Sequence, residues 1–367
     1  MSRFVTRLAV ALALLVLALP AFAQAKRYVV IDQDAAGPGG TDMMSILVLL
    51  QSPHVETLGI TVVTGDAWRD EEVAHTLRLL ELVGRTDIPV VPGAVFPLVR
   101  TQPETRLWEQ TFGKQTYQGA WSRRESSHGP FETPAMPEGN PTIKPSGEDA
   151  AHFLVRMVRQ FPHEVTIYAG GPMTNLALAQ SLDPRFAELS QALVFMGGSL
   201  SPRADDAEHA DTPRREFNLW FDPEAARIVL RAHWPAIVCT TVDVSVKTRL
   251  SQEMFDRISR ARTPAAQYIA RYSQPERSYM WDELAAAAWL DPSLITGERQ
   301  VYMDVNLDRG AGYGDTLTWS DRIKPALDLQ LVHAQMDVDM AKFGRLFVDL
   351  MTAPTPNARN PLMPMPR

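Results

Sequence analysis

The sequence predicts an α/β fold, a single large domain in which helices flank a mostly parallel central sheet. Short apolar runs alternate with segments of helical periodicity, and this alternation continues along most of the 367-residue chain. Such a pattern is typical of βαβ units, whose parallel strands are covered on both faces. The chain is also long enough to bury one large core.

The strands and helices are expected in a regular order. The apolar runs predict strands at 29–34, 57–63, 89–92, 165–169, 192–196, 236–242 and 301–305. Helix-like periodicity predicts helices at 41–50, 70–83, 148–160, 173–181, 223–232 and 282–290. Ligands in such sheets bind at the carboxyl ends of strands, and Asp32 and Asp34 lie where the first strand ends.

The regular pattern is interrupted between residues 98 and 146. This segment contains Trp108, Trp121 and His128 without a clear period. A loop of this length inside a compact domain is usually functional or disordered. The proline-rich residues 353–367 also lack periodicity, so we expect a disordered tail after one α/β domain at 26–352.

The first 23 residues are expected to be a secretory signal peptide. Arg3 and Arg7 precede an apolar run, and small residues surround a cleavage site after Ala23. The run is shorter than the roughly 20 apolar residues that span a bilayer. We therefore expect a periplasmic or secreted protein with no membrane partner once the peptide is removed.

Composition favours small-molecule chemistry. The formal net charge of -7 provides no broad attraction to nucleic acid or to anionic membranes, so neither is expected as a partner. Cys239 is the only cysteine, which excludes an intrachain disulfide, and its apolar surroundings predict a buried, inert thiol.

Three carboxylates surround the junction between the first strand and the first helix. Asp32 and Asp34 end the strand, and Asp42 follows a loop that contains three glycines. Clustered carboxylates repel one another unless a positive charge lies among them, and oxygen-only ligands favour Ca²⁺ or Mg²⁺. This stretch alone is weak support, because capping and turn aspartates are common at strand ends.

Four later segments strengthen the functional interpretation. They are AGGPMTNLALAQSLDP (169–184), LVFMGG (193–198), EFNLWFDPEAARIVL (216–230) and MWDELAAAAWLDP (280–292). Together with the opening aspartates, and in this order, they resemble the nucleoside N-ribohydrolases, the inosine-uridine-preferring hydrolase superfamily. LRLLELVGRTDIPVVPGA (77–94) is similar to that family as well. The resemblance implies a Rossmann-like nucleoside-hydrolase fold and calcium-dependent cleavage of ribonucleosides to free base and ribose.

The resemblance also implies roles for individual residues. The metal ligands would be Asp34, Asp42, Asp282 and the main-chain carbonyl of Gly170. The substrate-binding residues would be Asp32, Thr41, Asp66, Glu216, Phe217, Asn218 and Asp282. The catalytic residues would be Asp34, Trp281 and His128. A homodimer and a homotetramer both remain open as assemblies.

The chemistry of the reaction agrees with an acidic site. Breaking the bond between C1′ and nitrogen builds positive charge on the ribose, as in glycoside hydrolysis. Carboxylates stabilise that charge, while Ca²⁺ orients a water molecule and makes it more acidic. Asp34 is the candidate general base for this water.

The sequence departs from the family pattern at several positions. Thr41 replaces an acid that normally contacts the ribose, the glycine loop is longer, and Ala210 stands where an asparagine is expected. Trp281 occupies a position where pyrimidine-accepting members often carry histidine and purine-preferring members carry tryptophan. Because indole stacks well on a purine, a purine preference is expected. His128-Gly129 resembles the family's His-Gly over the pocket, although Trp281 could be a core residue and His128 a surface residue.

Two other functions remain open at this point. A haloacid-dehalogenase-like phosphatase also begins with Asp-x-Asp after a strand, but its downstream lysine and later acidic pair cannot be placed here. A non-catalytic exported protein that binds a nucleoside or sugar is suggested by Thr41 and Ala210.

Overall fold

The computed structural model describes residues 26–122, 128–202, 212–277 and 279–357. The expected signal peptide, its cleavage site after Ala23, Ala210 and residues 358–367 lie outside these ranges. Within them, no helix is both long and apolar enough to cross a membrane.

A nine-stranded sheet forms the centre of the domain. Its strands are β1 (Arg27–Gln33), β2 (Val55–Val62), β3 (Val90–Pro92), β4 (Val165–Ala169), β5 (Ala192–Met196), β6 (Ile237–Thr240), β7 (Ile295–Val305), β8 (Thr316–Trp319) and β9 (Leu331–Val338). Their spatial order is β3-β2-β1-β4-β5-β6-β9-β7-β8. In this spatial order, every neighbouring pair of strands between β3 and β9 is parallel. The last two pairs, β9 with β7 and β7 with β8, are antiparallel. The predicted α/β domain with a mostly parallel sheet is therefore confirmed.

Helices cover both faces of the sheet. They are α1 (Thr41–Leu50), α2 (Arg69–Val83), α3 (Gln102–Phe112), α4 (Ala150–Gln160), α5 (Thr174–Leu182), α6 (Phe186–Leu189), α7 (Phe217–Phe221), α8 (Pro223–Arg231), α9 (Val242–Ser245), α10 (Gln252–Ser259), α11 (Pro264–Tyr272), α12 (Trp281–Leu290) and α13 (Met340–Thr352). Two hydrophobic cores lie on opposite faces of the sheet, and alternate residues of β1 point into one or the other. Val29 and Ile31 pack with α1, α2 and α12, and Val30 packs with α4, α5 and α8.

Several elements were not expected from the sequence. The amino-terminal half of β7 is mostly exposed, so it forms no apolar run, and β9 mixes buried and exposed residues. Helix α3 lies in the segment that lacks a clear period and buries only Thr105. In the expected tail, the first residues contact the domain, since Gln51 Nε2 donates to Ala353 O over 2.8 Å.

Three neighbouring strands end at one edge of the sheet. Asp34 follows β1, Gly170 follows β4 and Gly197 follows β5, and these strands are adjacent. The main chain already links two of the ends, because Gly170 N donates to Asp32 O over 2.9 Å. This edge is where parallel α/β sheets bind ligands.

Candidate active site

A cavity of about 360 Å³ opens at this edge. Its walls are formed by Asp34, Ala36, Gly40, Thr41, Asp42, Asp66, Tyr117, Gly170, Met196, Glu216, Phe217, Asn218, Val242, Trp281 and Asp282. The fold thus gathers most of the site residues expected from the sequence. Two of them, Asp32 and His128, are not part of the cavity wall.

Three buried carboxyl groups form the acidic floor of the cavity: Asp34, Asp42 and Asp282. Burial, and then repulsion from neighbouring acids, raises the pKa of Asp34 and of Asp42 well above its ordinary value. Burial also raises the pKa of Asp282, to about 6. The charge of Asp282 is among the neighbouring charges that raise the pKa of Asp42.

Backbone and amide donors orient these acids. Asp42 Oδ2 accepts from Ala36 N over 3.1 Å, and Asp34 Oδ2 accepts from Asp66 N over 3.1 Å. Gln33 Nε2 donates to Asp282 Oδ2 over 2.9 Å. Gln33 is fully buried at the end of β1, and sequence analysis did not select it, because glutamine carries no chemistry-specific signal.

Glycine is required where the main chain approaches Asp34. A Cβ at Gly65 would lie 2.0 Å from Asp34 Oδ2, and one at Gly171 would lie 2.7 Å from its Oδ1. Any larger residue would displace the carboxylate, so these two glycines hold it in a narrow slot.

The donor chemistry of the floor fits a hard divalent cation. No lysine or arginine is among the described residues that line the cavity, so no cationic side chain there offsets the charge that the acids carry when ionised. Asp282 Oδ1 is buried without a hydrogen-bond partner. In the described ranges, however, no three His, Cys, Asp or Glu side chains are arranged so that they could already hold a metal ion. Asp34, Asp42 and Asp282 are the floor residues that would hold such a cation.

One wall of the cavity is built by Glu216 and Asn218. Glu216 caps helix α7, accepting from Asn218 N over 2.7 Å and from Leu219 N over 3.0 Å. Asn218 Nδ2 donates to Gly170 O over 2.7 Å, which fixes this carbonyl beside the acidic floor. Burial raises the pKa of Glu216 to about 7, although the backbone donors oppose the shift.

Asp32 lies beneath the cavity rather than in its wall. It is fully buried, accepts hydrogen bonds from Thr61 Oγ1 and Asn175 Nδ2, and ties β1 to β2 and α5. Burial raises the pKa of Asp32 to about 7. The geometry favours a supporting role over the expected contact with substrate, because Asp32 is fully buried and is not among the lining residues.

His128 belongs to a separate polar cluster. Its Nε2 lies 2.9 Å from Glu71 Oε2, and the same glutamate lies beside His75 on helix α2. His75 Nδ1 is also hydrogen-bonded to Glu138. The imidazole of His128 is therefore occupied away from the cavity wall, which does not favour the expected catalytic role.

Aromatic residues form the remaining wall. Trp281 begins helix α12 and lines the cavity, with Tyr279 at a ring-centroid distance of 4.9 Å. Tyr117 and Phe217 also line the cavity, and their rings pack edge to face with centroids 4.9 Å apart. Tyr117 was missed by sequence analysis, although it lies in the segment that lacks a clear period. Trp108 and Trp121, the aromatic residues named there, are not among the lining residues.

Thr41 connects the acidic floor to a second buried acid. Its Oγ1 donates to Glu283 Oε2 and accepts from Asp282 N over 3.2 Å. Glu283 is fully buried and lies behind the lining residues. Sequence analysis did not identify Glu283, because nothing local distinguishes it from an ordinary first-turn helix residue.

The chain is similar in sequence to known proteins. Residues 29–345 match the family described as inosine-uridine preferring nucleoside hydrolase. The pyrimidine-specific ribonucleoside hydrolase of Citrobacter koseri is 31% identical over 75% of this chain and 81% of its own. An uncharacterized protein of Schizosaccharomyces pombe is 29% identical over 90% of this chain and 87% of its own.

Solved structures show the same fold. A purine-preferring ribonucleoside hydrolase from Gardnerella vaginalis superposes with a TM-score of 0.69 at 22% identity, covering 89% of this chain and 98% of that one. A plant nucleoside hydrolase superposes with a TM-score of 0.68 at 24% identity, covering 89% and 99%.

Proposed function

Because the chain belongs to the inosine-uridine preferring nucleoside hydrolase family, we propose that it is a calcium-dependent hydrolase of purine ribonucleosides. Water would attack C1′ of the ribose, the bond from C1′ to the base nitrogen would break, and free base and ribose would leave. The observation that carries this proposal is a single cavity that combines an acidic floor with an aromatic wall.

Asp34, Asp42, Asp282 and the Gly170 carbonyl would hold the calcium ion. When bound, it supplies positive charge that lowers the pKa of water and a fixed point for the sugar hydroxyls. Asp34 is the residue proposed to take the proton from the attacking water. The acidic floor would also stabilise the positive charge that develops on the ribose.

The sugar would be bound by the polar wall. Glu216 and Asn218 are fixed by backbone contacts and line the cavity. Rigid placement of this kind lowers the entropic cost of orienting the ribose. Asp66, hydrogen-bonded by its main chain to Asp34, is proposed as a further contact for a ribose hydroxyl.

The purine preference is proposed from the aromatic wall. Trp281 lines the cavity, and no histidine is among the lining residues that the structure describes. A purine stacked on the indole could take a proton from solvent at a ring nitrogen, and the stack would stabilise the resulting cation. The relatives do not decide this point, because their names include both a pyrimidine-specific and a purine-preferring enzyme.

The proposal is tested with purified protein and a panel of nucleosides. We expect release of base and reducing sugar from inosine and guanosine with Ca²⁺, and loss of release after chelation. Asp42→Ala should remove calcium binding and turnover together. Stoichiometric nucleoside binding without any released base would instead favour the non-catalytic alternative. Release of phosphate from sugar phosphates would favour a phosphatase.

We also propose that the enzyme acts outside the cytoplasm. Arg3, Arg7 and the following apolar run are the features that support export. Amino-terminal sequencing of the protein from a periplasmic or culture fraction tests this, and a mature chain that still begins at Met1 would contradict it.

A further inference from the structure

Helices α1 and α12 meet at the cavity through a contact between distant parts of the chain. Neither helix has a side-chain cap from its own N-cap residue, Gly40 for α1 and Met280 for α12. Instead, Thr41 Oγ1 of α1 accepts from the Asp282 main-chain N–H of α12. The same hydroxyl donates to Glu283, so one threonine joins the helices that carry Asp42 and Asp282.

These contacts determine what the Thr41 hydroxyl can offer to a ligand. A threonine hydroxyl has one proton to donate and two lone pairs that accept. Its proton is used by Glu283 and one lone pair by the Asp282 N–H. Only one lone pair is left, and Thr41 is half-buried in the cavity wall. The remaining lone pair is therefore the hydrogen-bonding capacity that the Thr41 hydroxyl has left for a ligand in the cavity.

Glu283 is the residue that fixes the direction in which the Thr41 hydroxyl donates its proton. Its side chain is fully buried, and its second oxygen, Oε1, has no hydrogen-bond partner. Its other oxygen, Oε2, accepts the hydrogen bond from Thr41 Oγ1. Without an acceptor behind it, the threonine hydroxyl would be free to turn its proton towards the cavity.

We propose that Glu283 is a positioning residue that directs the Thr41 hydroxyl to accept a hydrogen bond from one hydroxyl of the bound sugar. The inference rests on the proposed nucleoside hydrolysis and adds a specificity determinant to it. A site that accepts a hydrogen bond from a sugar hydroxyl discriminates against the sugar that lacks this hydroxyl.

The test compares kcat/KM for inosine, 2′-deoxyinosine and 3′-deoxyinosine at saturating Ca²⁺. Thr41→Val keeps the shape and removes the hydroxyl, and we expect it to reduce one of the two ribose-to-deoxyribose ratios by about tenfold. Thr41→Ser should preserve both ratios. Thr76→Val is the matched control, since Thr76 is fully buried and its hydroxyl bonds only the Glu72 carbonyl of its own helix at 2.8 Å.

Glu283 is examined with Glu283→Met, which removes the acceptor, and Glu283→Gln, which retains one. Glu283→Met should shift the same ratio in the same direction but by a smaller factor, because the hydroxyl remains and only its orientation is lost. Glu283→Gln should change this ratio of kcat/KM values less than Glu283→Met does, because it keeps an acceptor for the hydroxyl. Melting temperature and calcium affinity, measured by calorimetry without nucleoside, show whether each variant is folded and keeps its metal site.

The outcomes are distinguishable. A folded Thr41→Val protein that loses activity equally on all three substrates has lost only a structural contact, and the inference is then wrong. If Thr41→Val changes the ratio but neither Glu283 variant does, the role of Glu283 is rejected. If the wild type releases no base, the proposed reaction is wrong instead, and the same ratios measured as Kd values decide the role of Thr41.

Discussion

At the residue scale, Asp34 is the group on which the proposed chemistry depends most directly. It lies on the cavity floor, oriented by Asp66 N and confined by Gly65 and Gly171. A carboxylate held this rigidly is suited to take a proton from a water molecule placed beside it.

Asp34→Asn should therefore abolish most turnover while nucleoside binding survives. General-base catalysis contributes typically about 10²- to 10⁴-fold, so kcat should fall by a factor in that range. Asp34 is also a proposed calcium ligand, so metal content must be measured in the same sample. A variant that retains its metal and near-normal kcat would show that Asp34 is not the base.

Trp281 allows a second prediction at the residue scale. If the indole stacks on the leaving base, inosine and guanosine should be better substrates than uridine, which offers a smaller π-face. Trp281→Ala should lower kcat/KM for the purines by about tenfold or more and change uridine less. Trp121→Phe is a control for loss of a tryptophan, because Trp121 packs against Phe221 outside the cavity wall. If uridine is hydrolysed as well as inosine and guanosine, the proposed stacking of the base on Trp281 is wrong.

At the scale of elements, the glycine-rich loop before α1 is held by side chains from several helices. Gly37 packs against His75 of α2 so closely that a Cβ would lie 2.8 Å from the imidazole. Gly39 N donates to Tyr268 OH over 3.0 Å, and Ser273 Oγ donates to Gly39 O over 2.9 Å. Since Ala36 at the start of this loop orients Asp42, the packing of the loop supports the acidic floor.

The hydrogen bonds of His75 to Glu138 and Glu71 predict that the stability of the protein depends on pH. Burial alone would lower the pKa of His75, but hydrogen bonds to Glu138 and Glu71 raise it above its ordinary value. A raised histidine pKa adds stability that is fully present below the unfolded value of about 6.5 and is lost as pH rises through the folded value. The contribution of His75 to the free energy of unfolding should therefore fall above about pH 6.5, by at most about 1.4 kcal/mol per pH unit for one proton.

This dependence is measured by urea unfolding between about pH 6 and pH 9 at saturating Ca²⁺, which keeps the floor acids in one state. Glu138→Gln removes the charged partner of His75 and should flatten the decline. Identical pH profiles for the variant and the wild type would contradict the assignment.

At the scale of the whole molecule, the proposed calcium ligands come from four separate places in the fold. Asp34 follows β1, Asp42 lies in α1, Gly170 follows β4 and Asp282 lies in α12. An ion bound by all of them joins segments that are distant in the chain, and it would also relieve repulsion among buried acids. Calcium should therefore stabilise the entire domain.

We expect about 2.7 kcal/mol of added stability at a calcium concentration one hundred times Kd, visible as a rise in Tm. The effect should fade as pH falls, because protons compete for the carboxyls, and the pKa of Asp282 is about 6. Asp42→Ala should abolish it. A Tm that is independent of calcium at neutral pH would argue against a metal among these ligands.

Local sequence patterns predicted the fold class, which is confirmed, and they selected the aspartates that line the cavity. Local patterns carry this information, because buried parallel strands are short apolar runs and their carboxyl ends must share one edge of the sheet. The segment before α1 and the start of α12 were therefore recognised, and Asp34, Asp42 and Asp282 do line one cavity. Elements that are only partly buried, such as the exposed half of β7 and helix α3, have weak apolar patterns and were missed.

The tertiary structure alone decided which side chains meet. Thr41 and Glu283 are 242 residues apart, and Gln33 and Asp282 are 249 apart, so no local pattern could indicate these contacts. In the segment without a clear period, Trp108, Trp121 and His128 have the stronger sequence signals, yet Tyr117 is the residue that reaches the cavity. Its position depends on packing against Phe217, on a distant helix. Side-chain direction follows from such long-range packing, which the order of residue types does not specify.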